Sequence, residues 1–454
     1  MSAVTLTCCG GVGNATGANF LLKAHDLSIL VDCGLIQGSA FAMAENREDF
    51  GYDPKDIDFL LVTHAHMDHI GRIPKLVREG FSGVIYSTEE TRELAAIMLD
   101  DARGLISRES VETGLPLLYD EADVAKALSL WKTAPYHEPT DLGGGVSFYI
   151  RDAGHILGSG IFEVSIAPEG KKIAFTGDLG NSPTPLLRDT EYVTDADYIV
   201  MESVYGDRNH EPKDVRDARL RQVIDDTIRR GGTIVIPAFS LERTQVILYE
   251  INNFVERGKL PKVAVYLDSP LAMRVTEVYK RHGEEFKASI QKQIGAGDNI
   301  FDFPGLSIIK SSVESMALDK KKEPKVIIAG SGMSVGGRVL HHERTYLSDP
   351  KATILLVGYQ VAGSLGRQIE ERERHIIVDG DRVPVRAHIE KISGFSSHKD
   401  SDHLVEFVSH AQPKVKKVFV AMGENVSSSF LAQRLRGELG AHAIVPEKDE
   451  EYVL

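Results

Sequence analysis

The stretch Ile57–Arg72, IDFLLVTHAHMDHIGR, decides how the rest of the chain is interpreted. Its apolar run Phe59–Val62 has the length and composition of a short buried strand. Four metal-ligating side chains follow within six residues: His64, His66, Asp68 and His69. Transition metals such as zinc take nitrogen and carboxylate oxygen ligands held by a rigid support, and the end of a strand provides such a support. The pattern therefore predicts a metal site at the end of this strand.

The composition argues against several classes of protein. No apolar run reaches the roughly 18–20 residues that a membrane helix needs, and the N-terminal MSAVTLTCCGG lacks the charged and apolar regions of a secretory signal. These observations predict no membrane partner. Three cysteines are too few for a disulfide framework, which indicates a reducing, cytoplasmic compartment. A net charge of −14 argues against a protein that coats nucleic acid nonspecifically.

A length of 454 residues exceeds one typical core, so two domains are expected. Residues 1–205 combine many short strand-like runs with intervening helices and form the first domain. Residues 206–384 alternate continuous apolar strands with helices, which predicts a parallel sheet covered on both faces. Residues 385–454 have no obvious core of their own and are expected to complete the first domain. The fold class is therefore α/β.

Further candidate ligands follow other strand-like runs of the first domain. They are Asp32, His155, Asp178 and Glu202. If the strands share a sheet, these side chains converge with the HAHMDH residues at one edge. Each of them could alone be a turn residue or a helix cap, and for Asp178 in GDLG this alternative is equally good. The shared placement carries the prediction.

These ligands can be divided between two metal ions. His64, His66 and His155 suit one zinc ion, Asp68 and His69 suit a second, and Asp178 bridges them, so that Asp68 and Asp178 also serve catalysis. A water between the metals would have its pKa lowered towards about 7, giving a bridging hydroxide that suits phosphodiester or amide hydrolysis. Mg²⁺ fits poorly with so many imidazoles. Asp32 is expected to accept a hydrogen bond that orients a ligand histidine.

These motifs resemble known families. HAHMDH with Asp32, His155 and Asp178 resembles the metallo-β-lactamase superfamily. ESVYGDR at 202–208, IPAFSLERTQ, DSPLAMRVTEVY, GSGMSVGGRVLHH, VGYQVAGSLGR and SGFSSHKD resemble its β-CASP branch of RNA-processing nucleases. The resemblance implies a metallo-β-lactamase αββα sandwich with an inserted Rossmann-like, parallel-sheet β-CASP domain. The nuclease subunit of the cleavage and polyadenylation machinery and its prokaryotic relatives have this arrangement.

The resemblance also implies an activity and further roles. Glu202 would be the acidic residue of the family's first extra motif and His398 the histidine of the second. His398 would protonate the leaving oxygen as general acid while Glu202 orients it. The implied activity is that of a zinc-dependent ribonuclease acting on single-stranded RNA, as an endonuclease, a 5′-exonuclease or both. Whether two copies of the chain pair as a homodimer is left open.

One residue departs from the family pattern. Relatives that cut RNA usually have a metal-binding histidine where Met422 stands, and a thioether is a poor zinc ligand. Met422 is therefore expected to fill space beneath the site and to weaken the second metal site. Two alternatives follow: a DNA nuclease of the same family, and an impaired paralogue that binds RNA or a partner nuclease. A lactamase-type hydrolase of small molecules is disfavoured, because the inserted domain should narrow access to the metals.

Candidate contacts to substrate phosphates lie in residues 206–384. This segment has 28 basic and 25 acidic residues, a net charge of +3. The loop Gly330–Gly337 follows a strand and precedes a helix, so the backbone N–H groups around Ser331 and Gly332 could hold a phosphate. A tight turn without a ligand explains the loop equally well. Arg243, Arg274 and Arg338 are the candidate phosphate-binding arginines.

Overall fold

The computed structural model describes residues 3–38 and 41–454, and they form two compact units. The first unit contains the described residues up to Gln37, Phe41–Asn209 and His398–Leu454, and the second contains Gly38 and His210–Ser397. No helix in the described ranges is both long enough and apolar enough to cross a membrane.

Both units contain β-strands. In chain order they are β1 Thr5–Gly10, β2 Asn19–Ala24, β3 Leu27–Val31, β4 Phe59–Leu61, β5 Val84–Ser87, β6 Trp131–Thr133, β7 Thr140–Gly143, β8 Val146–Asp152, β9 Gly160–Ile166, β10 Lys171–Phe175, β11 Tyr198–Met201, β12 Thr233–Pro237, β13 Ala264–Asp268, β14 Leu306–Ile308, β15 Lys325–Ala329, β16 Thr353–Leu356, β17 His375–Val378, β18 Asp381–Pro384, β19 His388–Lys391, β20 Lys417–Val420, β21 Ala443–Ile444 and β22 Glu451–Val453.

The helices lie between these strands. They are α1 Ala42–Glu45, α2 Met67–Ile70, α3 Ile73–Arg78, α4 Glu89–Thr113, α5 Glu121–Ser129, α6 Lys213–Arg229, α7 Arg243–Glu256, α8 Pro270–Arg281, α9 Ala288–Gly295, α10 Ser312–Leu318, α11 Arg338–Tyr346, α12 Leu365–Glu370, α13 Ser401–Ser409 and α14 Asn425–Leu439. Side chains cap several of them: Thr88 accepts a hydrogen bond from Thr91 N at the start of α4, and Asp400 does so from His403 N at α13.

The first unit contains two seven-stranded sheets, in the orders β22-β1-β2-β3-β4-β5-β6 and β21-β20-β11-β10-β9-β8-β7. Strand β8 shows why they pack together, because its residues alternate between buried and half-buried and so present one apolar face. Phe20 and Leu61 of one sheet meet Phe148 and Phe162 of the other in a shared core. Full burial of each such side chain contributes about 1.5–3 kcal/mol.

Helices cover the outer faces of this pair of sheets. Leu404 of α13 and Leu431 of α14 belong to a second core on the outer face of the β21–β7 sheet, and α4 contacts β6 in the other sheet. The order of layers is helix, sheet, sheet, helix. This confirms the predicted metallo-β-lactamase αββα sandwich.

The second unit contains a six-stranded parallel sheet in the order β14-β13-β15-β12-β16-β19, together with the hairpin β17–β18. All five residues of the central strand β12 are buried, and α6 and α11 both pack on it. A central strand that is buried throughout requires cover on both faces. The predicted Rossmann-like parallel sheet is therefore confirmed.

The units end at different residues from those expected. Residues 206–209 lie in the first unit rather than the second. Strand β19, expected in the first domain, pairs in parallel with β16 and extends the second unit to Ser397. The short HIEK sequence of β19 carries little periodicity, so only its pairing reveals where it belongs.

Candidate metal centre

Strand β4 delivers the HAHMDH residues to the edge of its sheet. Leu60 and Leu61 are fully buried, which anchors the strand. The chain then passes through His64, also fully buried, to His66, whose extended backbone precedes the single turn of α2. Asp68 and His69 lie within that turn. The local sequence thus places four polar side chains around one point.

A first cluster joins three imidazoles to one carboxylate. The Nδ1 atom of His66 lies 3.1 Å from His64 Nε2 and 3.2 Å from His155 Nε2. Both of those Nε2 atoms lie 3.5 Å from Asp178 Oδ2. Burial lowers the pKa of His64 and holds those of His66 and His155 well below their usual range. The rings are therefore neutral at pH 7, which is the form that binds a metal.

A second cluster shares the same carboxylate. His69 Nε2 lies 3.5 Å from Asp178 Oδ1 and 3.9 Å from Asp68 Oδ2. Neither His69 Nε2 nor Asp178 Oδ1 has a hydrogen-bond partner within the described part of the chain, and both are buried. Burying a polar atom without a hydrogen bond costs about 1–3 kcal/mol of folding free energy, and this applies to each of the two atoms. A cation held between them would satisfy both, so the donor set fits a metal.

Asp32 fixes the orientation of His69. Its Oδ2 lies 2.8 Å from His69 Nδ1, and its carboxylate also accepts hydrogen bonds from the amide and the hydroxyl of Thr63, at 2.8 Å each. This leaves His69 Nε2 directed towards Asp178. Burial lowers the pKa of His69, but the carboxylates of Asp178 and Asp32 outweigh it and hold that pKa well above its usual range.

Two glycines allow the ligand loops to touch. A Cβ atom on Gly34 would lie 1.5 Å from the carbonyl oxygen of Asp68, and one on Gly180 would lie 2.0 Å from that of Gly154. Only a residue without a side chain permits such close approach. The loop after β3 is thereby held against α2, and the loop that carries Asp178 is held against the loop that carries His155.

Glu202 and His398 lie beside the shared carboxylate. His398 Nδ1 lies 3.1 Å from Glu202 Oε2 and 3.8 Å from Asp178 Oδ2, and the other oxygen of Glu202 accepts a 2.6 Å hydrogen bond from Leu179 N. Burial lowers the pKa of His398, but the nearby carboxylates of Glu202 and Asp178 dominate and raise that pKa to about 9. Asp178, Glu202 and His398 thus form a third group around Asp178.

Comparison with known proteins identifies the family. Three family models match: the metallo-beta-lactamase superfamily at residues 15–229, the Beta-Casp domain at 244–369, and the Zn-dependent metallo-hydrolase RNA specificity domain at 382–446. Ribonuclease TTHA0252 of Thermus thermophilus is 37% identical over 89% of this chain and 90% of its own length. The chain is a β-CASP member of the metallo-β-lactamase superfamily.

Other β-CASP relatives agree with this assignment. The RNase J-like protein of Methanocaldococcus jannaschii is 33% identical over 92% of both chains. Transcription termination factor FttA of Methanosarcina mazei is 31% identical over 96% of this chain and 69% of its own length. A crystal structure from Enterococcus faecalis, titled as a protein of unknown function, has a TM-score of 0.56 at 13% identity and covers 100% of both chains, which supports the fold. Membership of this superfamily implies metal binding.

Met422 stands where a metal-binding histidine was expected from the β-CASP pattern, and its side chain fills space as predicted for a thioether. Its side chain is 3% exposed and belongs to the core between the two sheets. Its sulfur packs so closely on Gly11 that a Cβ there would lie 2.4 Å away. The backbone of Met422 is left-handed, with φ of 44°, and its N–H donates to Gly11 O at 2.6 Å. Packing therefore accounts for this methionine.

The candidate phosphate contacts of this β-CASP chain lie in the second unit. Arg243 is buried at the start of α7, and Arg274 is exposed on α8. Arg338 donates to Asp268 Oδ1 at 2.6 Å and to Ile309 O. Arg338 therefore connects α11 to the end of β13, an ion pair that the sequence did not indicate.

Thr63 is a residue of the site that sequence reasoning missed. Besides its two hydrogen bonds to Asp32, its hydroxyl lies 3.1 Å from His64 Nδ1. It therefore links the orienting carboxylate to both clusters. The available signal was its position, immediately before the first histidine of THAHMDH.

Proposed function

We propose that this β-CASP protein is a metal-dependent ribonuclease that hydrolyses phosphodiester bonds of single-stranded RNA and binds two zinc ions per chain. The observation that carries the proposal is the position of Asp178, which belongs to two adjoining ligand clusters and to the Glu202–His398 pair. A carboxylate shared in this way suits a two-metal site with an adjacent proton donor. The names of two relatives, Ribonuclease TTHA0252 and RNase J-like protein, support RNA as substrate.

The donor set supports zinc. His64, His66 and His155 would hold one ion, Asp68 and His69 would hold the other, and Asp178 would contact both. Imidazole nitrogen suits zinc, whereas Mg²⁺ prefers oxygen ligands and retained waters. When bound, two zinc ions would acidify a water and neutralise the charge of the scissile phosphate.

His398 is assigned as the general acid and Glu202 as the residue that positions it. The 3.1 Å contact at Nδ1 fixes the ring and stabilises its protonated form, and Nε2 is assigned to deliver a proton to the leaving oxygen. Asp32 is assigned to orient His69 as a metal ligand, through the bond at its Nδ1. These contacts position the proton donor and one ligand before substrate binds.

Backbone and arginine contacts are assigned to the substrate. Ser331 and Gly332, together with Arg243 and Arg274, are proposed to contact RNA phosphates. Aromatic residues make up only 7% of the chain, so recognition is expected to depend on the backbone of the strand rather than on base stacking. The first unit is assigned as the lactamase domain and the second as the β-CASP domain.

The cellular location and the oligomeric state of the protein are also part of the proposal. Cys8, Cys9 and Cys33 are free thiols, and two of them are buried, which supports a cytoplasmic location. A homodimer is proposed as the assembly to test, by measuring the mass of the particle in solution.

Met422 supports a second candidate function. Its thioether packs in the core, so the second cluster consists of Asp68, His69 and Asp178 without a fourth protein ligand at this position. This arrangement favours weak occupancy of the second site, as in an impaired paralogue that binds RNA or a partner nuclease. A DNA nuclease of the same family is the other alternative that this position supports.

Zinc stoichiometry combined with cleavage of end-labelled RNA tests the proposal. Two zinc ions per chain and cleavage of RNA, but not of a matched DNA oligonucleotide at the same salt concentration, are expected. Preferred cleavage of the DNA would favour the DNA nuclease. Fewer than one zinc ion per chain and no turnover, unrescued by Met422→His, would favour the binding paralogue. A chelator should abolish cleavage, and added zinc should restore it.

A further inference from the structure

The carboxyl group of Glu343 is buried beneath the loop Gly330–Gly337 of the second unit. The residue lies in α11 and has no exposed surface. Its Oε1 lies 2.5 Å from the hydroxyl of Ser334, which belongs to the loop. Its Oε2 is buried and has no hydrogen-bond partner among residues 3–38 and 41–454. A buried carboxyl group whose side chain makes one hydrogen bond, to a residue of a loop, requires an explanation.

The backbone of this loop turns its carbonyl groups towards the protein. Gly330 O accepts from Val339 N at 3.0 Å, Gly332 O from Gln360 Nε2 at 3.0 Å, and Met333 O from Gly366 N at 3.1 Å. Among residues 3–38 and 41–454, the amide groups of Gly332 and Met333 donate to no protein acceptor. Successive unpaired amides form a concavity that attracts anions.

Ser334 connects this backbone shape to Glu343. Its φ of 56° lies in the left-handed region, which is unfavourable for a residue with a side chain. Its side chain is 1% exposed and bonds to Glu343. That hydrogen bond offsets the backbone strain and fixes the turn just after the two free amides.

We propose that Glu343 is a positioning residue for RNA binding: its carboxyl group holds Ser334, and thereby sets the loop so that the amides of Gly332 and Met333 bind a backbone phosphate. This inference rests on the proposed ribonuclease function and adds to it a residue that contacts no substrate. Substitution of Glu343 should change the affinity for RNA rather than the rate of the chemical step.

The protonation state of Glu343 makes the proposal sensitive to pH. Burial raises the pKa of Glu343 to about 8, against opposing effects from Ser334 and His342. His342 is the one charged group among the described residues that acts on this carboxyl, and its ring is held between Asp268 and Asp319. Glu343 is therefore neutral at pH 7. Above pH 8 it becomes a buried anion beneath the phosphate site, which opposes RNA binding.

Fluorescence anisotropy with a labelled single-stranded RNA tests this, in an Asp178→Asn background that prevents cleavage. At pH 7, Glu343→Gln should keep the Kd within about twofold of the parent, because the amide is neutral and still meets Ser334. Glu343→Ala should raise the Kd about tenfold, since loss of a buried hydrogen bond is worth about 1.4 kcal/mol. The matched control is Glu250→Gln, another buried carboxyl of this unit, which pairs with Arg216 and should leave the Kd unchanged.

Between pH 6.5 and 9 the Kd of the parent should rise, and that of Glu343→Gln should rise less, because only the parent gains a charge at position 343. Unchanged affinity in Glu343→Ala, or identical pH profiles for the parent and Glu343→Gln, would overturn the inference. If Glu343→Ala fails to fold, Ser334→Ala removes the same bond from the loop side and should give the same loss. With Asp178 restored, Glu343→Ala should keep kcat at saturating RNA within about twofold.

The two proposals fail in different ways. Wild-type protein that cleaves RNA while Glu343→Ala binds it normally would reject the inference alone. Wild-type protein that neither cleaves nor binds RNA would reject the ribonuclease function and the inference with it.

Discussion

Asp178 is the residue on which the proposed metal centre depends. It is 2% exposed, and its two oxygens face different clusters, Oδ2 towards His64 and His155 and Oδ1 towards His69. Burial raises its pKa, but the adjacent rings of His69 and His398 outweigh that effect and hold the pKa well below its usual range. The carboxylate is therefore ionised wherever the protein is folded near neutral pH.

Replacing Asp178 by asparagine should remove metal and activity together. Even partners outside the ligand set of a metal cost 10–100-fold when removed, so loss of a shared ligand should lower RNA cleavage by at least about 100-fold. Zinc content should fall below that of the wild type. The matched control is Asp197→Asn, a buried carboxylate of the same unit that pairs with Lys416 at 3.1 Å and should leave both quantities unchanged. Full zinc content in the Asp178 variant would contradict the assignment.

His398 should affect the chemical step without affecting metal binding. Loss of a general acid costs about 10²–10⁴-fold, and His398→Gln should reduce kcat in this range while zinc content stays constant. Metal analysis and single-turnover cleavage measure the two effects. His403→Gln is the control, because this half-buried histidine lies on α13 and bonds to Asp400. Loss of zinc in His398→Gln would instead make His398 a metal ligand.

At the scale of elements, the short helix α2 is positioned by the loop that follows β3. Cys33 N donates to His69 O at 2.8 Å and Leu35 N to Met67 O at 2.9 Å, so both sides of Gly34 are bound to α2. A helix of four residues cannot hold its own shape. The loop therefore determines where Asp68 and His69 point.

A side chain at Gly34 should disturb the second cluster before the first. In Gly34→Ala the new Cβ would meet the carbonyl of Asp68 at 1.5 Å, so α2 must shift. We expect one of the two zinc ions to be lost, measured by metal analysis, and RNA cleavage to fall with it. The control is Gly104→Ala inside α4, where no atom lies within 4 Å and the helix should gain up to about 1 kcal/mol. Normal zinc content in Gly34→Ala would show that the turn tolerates the shift.

At the scale of the whole chain, the last segment completes both sheets of the first unit. Strands β20 and β21 extend one sheet by parallel pairing with β11 and with each other, and β22 pairs with β1 in the other sheet. The Glu202 loop lies beside β20, where Ser203 N donates to Met422 O at 3.1 Å. The unit that contains the candidate metal centre is therefore built from chain segments that precede and follow the second unit in sequence.

Metal removal should destabilise the protein as well as inactivate it. A ligand that binds only the folded state stabilises it by RT ln(1 + [L]/Kd), which is about 2.7 kcal/mol at one hundred times Kd. A chelator should therefore lower the unfolding temperature seen by calorimetry, and added zinc should restore it. Asp178→Asn should unfold at the same temperature with and without chelator. If the wild type unfolds at the same temperature with and without chelator, tightly bound metal is excluded.

The sequence by itself determined the fold class and indicated the candidate residues of the metal centre. Apolar runs of strand length, each followed by histidine or a carboxylate, indicated buried strands with ligands at their ends. These are local signals, because burial sets the periodicity of neighbouring residues and the density of metal-binding types is visible within a few positions. The chain order of the β-CASP motifs added the inserted parallel sheet.

Only the tertiary structure decided which of these residues meet, and how. The sharing of Asp178 between the clusters, the bond from Asp32 to His69 and the packing of Met422 on Gly11 join residues far apart in the chain. Their distances follow from strand pairing and from close backbone contacts that no local pattern records. For the same reason β19, which has too few residues to show a period, could be placed in the second sheet only by its pairing with β16.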